Sequence, residues 1–179
     1  MTEEALRQAA VLIPFYRDGE GQLRVVLIRR TSRGRHAGQI AFPGGNREPG
    51  DASMRATGIR EACEELGLRA DQIEILAELQ AERTATSGYL VWPFVARLHE
   101  VSPGYSWRAQ AAEVAEVLDV PVAELASPDA AGTEEMSFPS WPAQRVIPVR
   151  YLRGHLVWGL TLRILEPVLP RALAGEWPL

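Results

Sequence analysis

Three carboxylates occupy five consecutive positions in the stretch REACEELG, at residues 60–67. They are Glu61, Glu64 and Glu65, and Arg60 precedes them. Like charges at helical spacing repel one another, so a positive group among them is expected. A hard divalent cation is one such group, because Mg²⁺ binds one or two carboxylates together with water and phosphate oxygens. Taken alone, the run is more typical of a solvated acidic helix face.

The loop before this run, FPGGNREPGD at 42–51, favours a binding site. The backbone of Pro43-Gly44-Gly45 has little side-chain bulk, so a ligand can approach Gly44 closely or meet the bare carbonyl of Gly45. A Pro-Gly-Gly sequence alone is typical of an ordinary turn. Asp51 stands at the mouth of the following helix and is the predicted N-cap.

The helix that carries the glutamates is predicted over residues 52–66, with Gly67 as its C-cap. With residues about 100° apart around the axis, one stripe is apolar and predicted to be buried. It consists of Ile59, Ala62, Cys63 and Leu66. The three glutamates lie on the opposite side, across an arc of about 100°. Cys63 is interpreted as a small hydrophobic residue rather than a nucleophile.

Five arginines lie shortly before the double glycine, and guanidinium groups suit phosphate oxygens. They are Arg24, Arg29, Arg30, Arg33 and Arg35. Because strand residues alternate between two faces, two or three of them at most should contact a ligand. His36, beside them, is interpreted as a polar loop residue, with a phosphate contact as the alternative.

Gly45, Asp51 and the run 60–68 resemble the Nudix box. The family pattern is Gly, five residues, Glu, seven residues and R-E-U-x-E-E-x-G-U, where U is bulky and apolar. This chain departs from it at Ala62, which is small for its position, and at Asp51, which replaces the first Glu one residue farther from the arginine. The upstream stretch, with GQIAFPGG at 38–45, resembles the coenzyme A pyrophosphatase branch. That branch's signature is matched imperfectly at Ile28, at Thr31 and in the spacing after residue 35.

The Nudix resemblance implies metal-dependent hydrolysis of a pyrophosphate bond within a nucleoside diphosphate derivative. The coenzyme A branch implies coenzyme A or its thioesters as substrate, with 3′,5′-ADP and 4′-phosphopantetheine, or its acyl form, as products. The implied cofactor is Mg²⁺ or Mn²⁺.

The resemblance also assigns roles to residues. Glu61 and Glu65 would be the principal metal ligands, with Glu64 a further ligand or the base that orients water. The Gly45 carbonyl would be an additional ligand, and Arg60 would hold the glutamates. The implied substrate contacts are Gly44, Arg29, Arg30, Arg33 and Arg35. Glu113 and Glu116 are rival candidates for the general base, although both are also typical of surface charges.

Two alternatives stay open. One is a Nudix hydrolase of different specificity, acting on ADP-ribose or on a dinucleotide such as NADH. The other is a non-catalytic Nudix-fold module that binds nucleotide. The presence of all three glutamates of the box argues against the second alternative, since a degenerate module would have lost one.

Composition narrows the class of protein. A chain of 179 residues suits a single domain, here 1–179. Its net charge of −4 disfavours a dedicated nucleic-acid partner. The lone Cys63 excludes an internal disulfide and favours a reducing compartment. Without a signal peptide or an apolar run of about 20 residues, the expectation is a cytoplasmic monomer or homodimer that binds a small-molecule nucleotide and no membrane.

The elements that position these residues are predicted to interleave without a regular βαβ rhythm. This order predicts an α/β fold in which a mixed β-sheet is sandwiched between helices (α/β/α), the Nudix type. Strands are predicted at 9–16, 23–30, 73–80, 89–98 and 144–152, and a short strand with a turn at 111–125. Further helices are predicted at 2–8 and 157–169, and residues 126–141 are predicted to form a mobile surface loop.

Overall fold

The structure, a computed structural model, describes residues 6–32, 37–84, 88–137 and 143–179. Its centre is an eight-stranded sheet. The strands of this sheet are β1 (Arg7–Arg17), β2 (Leu23–Arg30), β3 (Ile40–Ala41), β4 (Gly44–Asn46), β5 (Ile73–Glu78), β6 (Glu82–Arg83), β7 (Tyr89–Leu98) and β8 (Val114–Pro121). A three-stranded sheet follows, with β9 (Ala131–Met136), β10 (Arg145–Leu152) and β11 (His155–Val157). The α-helices are α1 (Met54–Leu66), α2 (Val122–Ala126) and α3 (Gly159–Leu173).

Strand β1 organises the large sheet. It pairs with β7 in parallel from Arg7 to Phe15, while its second half runs antiparallel to β2. Its first half pairs with β4, and Ala10 lies opposite Gly45. The register of β1 therefore sets the place of the double glycine.

The core lies on both faces of this sheet because successive side chains of a strand point in opposite directions. Residues 13, 15, 25 and 27 pack on one face with α3, and residues 12, 26 and 28 pack on the other with α1. Leu165 of α3 and Leu66 of α1 are fully buried. The arrangement of helix, sheet and helix confirms the predicted α/β/α fold.

Most predicted strands are confirmed, but two segments were predicted wrongly. Residues 7 and 8 belong to β1 rather than to a helix, because they pair with β7; the N-terminal part of that predicted helix, residues 2–5, lies outside the described residues. Residues 131–136 form β9 rather than a mobile loop, because β10 pairs with them along six positions. Arg7 pairs with the distant Tyr89, so local composition gave no sign of that part of β1. Strand β9 pairs with the next strand, β10, with Met136 opposite Arg145, and the Ser-, Pro-, Asp- and Gly-rich composition of residues 126–141 concealed it.

Smaller differences concern the ends of elements. Strand β8 is eight residues long and leads into the short helix α2, where a short strand and a turn were predicted. Helix α3 is confirmed as an amphipathic helix, but it continues past Pro167 and Pro170 to Leu173. The buried side chains of Val168, Leu169 and Ala172 pack the last turns of α3 against the core, so the helix does not end at the prolines. Among the described residues, no helix is both long and apolar enough to cross a lipid bilayer.

Helix α3 offers a test of the core on the face away from α1. Leu165→Ala removes a fully buried side chain and should lower the free energy of unfolding by about 2–5 kcal/mol. Leu173→Ala, in the same helix but 52% exposed, should change it by less than about 1 kcal/mol. Urea unfolding measures both, and equal losses would contradict the assigned packing of α3.

Candidate functional site

The double glycine lets helix α1 approach the sheet closely. The Gly44 N–H donates a hydrogen bond to the Glu65 carboxylate over 2.8 Å. A Cβ atom on Gly44 would collide with the Ala10 carbonyl of β1, and one on Gly45 would collide with the Glu61 carboxylate. Gly44 therefore requires glycine, because backbone atoms of β1 occupy the space a side chain would need and its φ is +156°, whereas a side chain at Gly45 would displace the Glu61 carboxylate.

Glu65 is the most unusual carboxylate of the site. It is 1% exposed, and its second oxygen, Oε1, has no hydrogen-bond partner among the described residues. Burial raises its pKa from the ordinary 4.5 to about 7, although the Gly44 N–H and the Arg30 charge oppose the rise. A buried polar atom without a partner is costly unless a ligand or ion satisfies it.

Glu61 lies beside Glu65, one helical turn earlier. Its side chain is 12% exposed and lies against the backbone of Gly45. Burial raises its pKa, while the Arg60 guanidinium, 3.0 Å away, lowers it. Glu61 and Glu65 therefore form a pair of largely buried carboxylates that face the double glycine.

Arg60 connects the helix to the preceding loop. Its Nε lies 3.0 Å from Asp51 Oδ1, and its Nη2 donates to the Asn46 carbonyl over 2.9 Å. The same guanidinium contacts Glu61 at 3.0 Å and Glu64 at 3.1 Å. One cation thus contacts two of the three glutamates and the chain that follows Gly45, and the positioning role of Arg60 stays a prediction.

Asp51 is not the N-cap, so that prediction was wrong. The N-cap is Ser53, whose side chain accepts the Ala56 N–H, and the helix begins at Met54. Asp51 instead accepts hydrogen bonds from Arg60 and from the Thr57 hydroxyl. The hydrogen bond from Arg60 is the main reason that the pKa of the Asp51 carboxyl lies well below its ordinary value, and the Thr57 hydroxyl adds to this effect.

The rotation of helix α1 also differs from the prediction. Ile59 and Cys63, expected at the buried stripe, are only half-buried, whereas Glu65 is buried. Ala62 and Leu66 are buried as predicted. Helix α1 therefore turns one edge of its acidic arc toward β4, which brings two carboxylates over the double glycine.

Glu64 lies on the solvent side of α1. Its side chain is 51% exposed and forms an ion pair with Arg60. In the part of the chain that the structure describes, no three side chains from His, Cys, Asp and Glu converge as a metal cluster. Mg²⁺ needs fewer, because it combines one or two carboxylates with water and substrate oxygens. Glu61, Glu65 with its unpartnered oxygen, and the Gly45 backbone are donors that fit such an ion.

The upstream arginines do not act as one cluster. Arg24 is paired with Asp119 at 2.8 Å and Arg29 with Glu116 at 3.0 Å, both across β2 and β8. Arg30 is half-exposed and contributes positive charge at Glu65. The other predicted contacts, Arg33 and Arg35, lie outside the described residues together with His36.

The two rival bases occupy different surroundings. Glu113 is exposed, and its charge raises the pKa of both Glu61 and Glu65, so it faces the site. Glu116 is engaged by Arg29 at 3.0 Å and lies 3.5 Å from His155. Of the two, Glu113 is the exposed one that faces the carboxylate pair, whereas Glu116 is held by Arg29. The role of Glu113 as a base stays a prediction.

Sequence reasoning missed several contacts that shape the site. The N–H groups of Arg108 and Gln110 bind the carbonyls of Leu66 and Glu65, which closes the end of α1 from a distant loop. A cavity of about 360 Å³ is lined by residues that include Gln39, His155 and Trp158. The fold alone brings Trp158 near Gln39, so the sequence gave no reason to place them together.

The buried Glu65 predicts a pH-dependent stability for the metal-free protein. Because its folded pKa of about 7 exceeds the unfolded value, its contribution is fully present below about pH 4.5 and is lost as pH rises through about 7. Glu65→Gln should remove this loss and stabilise the protein at pH 8 by roughly 1–3 kcal/mol. Urea unfolding at pH 5 and pH 8 in a chelator tests this. Exposed Glu64→Gln is the control, and an unchanged pH dependence in Glu65→Gln would contradict the assignment.

The Asp51–Arg60 contact predicts a second effect on stability. Asp51→Asn keeps the size of the side chain but removes the charge that Arg60 contacts, at a carboxyl only 6% exposed. A charge-assisted hydrogen bond contributes about 1.5–3 kcal/mol, so the free energy of unfolding should fall by about that amount. Asp71→Asn removes an exposed partner of Arg69 and should cost less than about 1 kcal/mol. Equal effects in urea unfolding would refute the positioning role of Asp51.

Comparison with known proteins agrees with this architecture. The model of the NUDIX domain matches residues 6–139. The chain is 38% identical over 161 residues to the uncharacterized Nudix hydrolase NudL of Photorhabdus laumondii, covering 89% of this chain and 82% of that protein. It is 34% identical over 168 residues to the protein of the same description in Salmonella typhimurium, covering 93% and 84%.

Solved structures share the fold at lower identity. The NUDIX domain of Shewanella oneidensis NrtR, complexed with ADP ribose, aligns with a TM-score of 0.61 over 96% of this chain and 99% of that one, at 19% identity. A MutT/nudix family protein from Enterococcus faecalis aligns with a TM-score of 0.61 over 98% and 64%, at 18% identity. Given the family match over most of its length, the chain belongs to the Nudix hydrolase family.

Proposed function

We propose that this Nudix hydrolase cleaves the pyrophosphate bond of coenzyme A or its thioesters. The products would be 3′,5′-ADP and 4′-phosphopantetheine or its acyl form. The observation that carries the hydrolytic part is Glu65 Oε1, which has no partner in the described structure, beside Glu61 and next to a double glycine where a side chain would meet β1 or the Glu61 carboxylate. The choice of substrate rests on the resemblance of residues 27–45 to the coenzyme A pyrophosphatase branch.

The proposal includes Mg²⁺ or Mn²⁺ as cofactor. When bound, such an ion neutralises the diphosphate and lowers the pKa of water for in-line attack. Glu61 and Glu65 are the proposed principal ligands, with Glu64 and the Gly45 carbonyl as further ones. The donor set supports this assignment, because Glu65 Oε1 lacks a partner in the described structure and both carboxylates are desolvated.

The remaining roles belong to residues around the carboxylate pair. Arg60 positions Glu61 and Glu64 through the contacts of its guanidinium. Glu64 is the proposed base that orients water, since it is half-exposed at the edge of the pair. Glu113 is the alternative base, because its charge acts on both buried glutamates from the exposed side.

Substrate binding is proposed for Gly44, Arg29, Arg30, Arg33 and Arg35. Arg30 has the best support, because its charge already acts on Glu65. Arg29 would have to leave Glu116, its partner at 3.0 Å, in order to reach a phosphate. This engagement favours the second candidate function, hydrolysis of derivatives without a 3′-phosphate, such as ADP-ribose or NADH.

We further propose that residues 1–179 act as one domain in the cytoplasm. The two core clusters support a single unit, because residues of β1 and β2 contribute to both. A monomer and a homodimer are both compatible with these clusters.

Hydrolysis with product identification tests the proposed function. Coenzyme A, acetyl-coenzyme A, ADP-ribose and NADH are compared with Mg²⁺ and with Mn²⁺. We expect the highest kcat/KM for coenzyme A or its thioester, and a loss of roughly a hundredfold or more in Glu65→Gln, since a metal site supplies several kcal/mol of transition-state stabilisation. Glu20→Gln, an exposed change in the turn between β1 and β2, should leave the rate unchanged.

Thermal unfolding with added metal separates a binding module from an enzyme. Metal at about 100 times its Kd should stabilise the wild type by about 2.7 kcal/mol and Glu65→Gln by much less. A preference for ADP-ribose would refute coenzyme A as substrate and retain the carboxylate site. If the protein binds nucleotide but shows neither turnover nor stabilisation by metal, the proposed hydrolase is refuted.

A further inference from the structure

Thr57 is a polar residue on the buried side of helix α1. Its side chain is 0% exposed, as buried as that of Glu65. A threonine inside a helix is less favourable than an alanine, because its branched side chain loses rotamer freedom. A buried hydroxyl group is also costly unless it forms a hydrogen bond. Helix propensity and burial would both favour an apolar residue here, so the hydroxyl group needs another explanation.

The hydroxyl group of Thr57 binds Asp51. Its Oγ1 lies 2.9 Å from Asp51 Oδ2 and 3.3 Å from the carbonyl oxygen of Ser53. That carbonyl already accepts the Thr57 N–H over 3.0 Å. Because a hydroxyl group has one hydrogen to donate, the nearer and charged acceptor binds it more strongly. We therefore assign the donated hydrogen to Asp51.

The Asp51 carboxylate joins the loop before α1 to the helix itself. Its Oδ2 also accepts the Glu48 N–H over 2.9 Å, and its Oδ1 accepts Nε–H of Arg60 over 3.0 Å. The side chain of Asp51 is only 6% exposed, so these donors rather than water orient it. Thr57 and Glu48 together fix the plane of the carboxylate that the Arg60 guanidinium meets.

Arg60 carries this orientation to the carboxylate site. Its Nη2 lies 3.0 Å from Glu61 Oε1 and donates to the Asn46 carbonyl over 2.9 Å. Glu61 in turn lies against the backbone of Gly45. A series of contacts of 3.0 Å or shorter therefore leads from Thr57 through Asp51 and Arg60 to Glu61.

Resting on the proposed function, we propose that Thr57 is a positioning residue for the metal site. It holds Asp51, Asp51 holds the Arg60 guanidinium, and Arg60 holds Glu61 where a divalent cation would bind. Without the hydroxyl group, Asp51 loses a donor, and Arg60 is freer to turn toward Glu48 or Glu64, which lie 3.9 and 3.1 Å from it. Glu61 then has to be ordered when the metal binds, and this ordering weakens binding.

Calorimetry with Mn²⁺ alone tests the proposal without turnover. Thr57→Val keeps the shape of the side chain and removes the hydroxyl group. It should weaken Mn²⁺ binding by roughly three- to tenfold, below the usual effect of a residue that orients a metal ligand, because Thr57 acts through two others. Thr57→Ser retains the hydroxyl group and should recover most of the affinity.

Thr161→Val is the matched control for a purely structural effect. Thr161 also carries a helical hydroxyl group, which donates to the Ile40 carbonyl over 3.1 Å. It belongs to α3, which packs on the face of the sheet away from α1. Both valine variants should unfold at a lower urea concentration than the wild type, whereas only Thr57→Val should weaken Mn²⁺ binding.

A double variant tests the route through Asp51. If Thr57 acts through this carboxylate, Thr57→Val combined with Asp51→Asn should bind Mn²⁺ no more weakly than Asp51→Asn alone. Additive losses of affinity would show that the two residues act independently and would overturn the proposal.

The dependence of hydrolysis on metal gives a further readout. At limiting Mg²⁺, the rate of Thr57→Val should fall by the same roughly three- to tenfold as its affinity. At saturating Mg²⁺, kcat should approach that of the wild type, because the bound ion then orders Glu61 itself. A loss of kcat that saturating Mg²⁺ does not reduce would contradict the positioning role.

The outcomes separate the positioning role from the proposed function. An Mn²⁺ affinity unchanged in Thr57→Val, or a loss shared by Thr161→Val, would overturn the role and leave the proposed function in place. An affinity that depends on Thr57 in a protein that hydrolyses none of the four substrates would support the role and refute the proposed function. If Thr57→Val does not fold, Thr57→Ala is compared with Thr57→Ser, and equal affinities would overturn the role.

Discussion

The close approach of helix α1 to the backbone of Gly44 and Gly45 is the contact on which the site depends. It requires glycine at Gly44, where the backbone of β1 fills the space, and at Gly45 a side chain would displace the Glu61 carboxylate. It also gives the Glu65 carboxylate a hydrogen bond from the Gly44 N–H at 2.8 Å. The register between β1 and β4 sets this approach, so the large sheet determines where the two carboxylates lie.

Burial of Glu65 has a cost in folding free energy. A carboxylate that is 1% exposed and half-satisfied destabilises the metal-free fold, and its pKa rises to about 7. Arg60 compensates part of the local repulsion through Asp51, Glu61 and Glu64. In the described structure Arg60 forms no such contact with Glu65, so Glu65 Oε1 stays without a partner there.

The departure of this chain from the Nudix pattern has a structural explanation at Asp51. Aspartate is one methylene shorter than the usual glutamate, and it stands one residue farther from Arg60. The structure nevertheless places its carboxyl 3.0 Å from Nε of Arg60 and within a hydrogen bond of Thr57. Asp51 thus pairs with Arg60, whereas the N-cap role predicted for it from local propensity belongs to Ser53.

The sequence by itself determined the carboxylate helix, its end at Gly67, the main strands and the family, since these depend on local periodicity and on a motif of fixed spacing. The tertiary structure decided which edge of α1 is buried and that Arg24 and Arg29 are paired across β8. These facts depend on pairing between segments far apart in the chain, and local periodicity does not encode which distant strand supplies the partner.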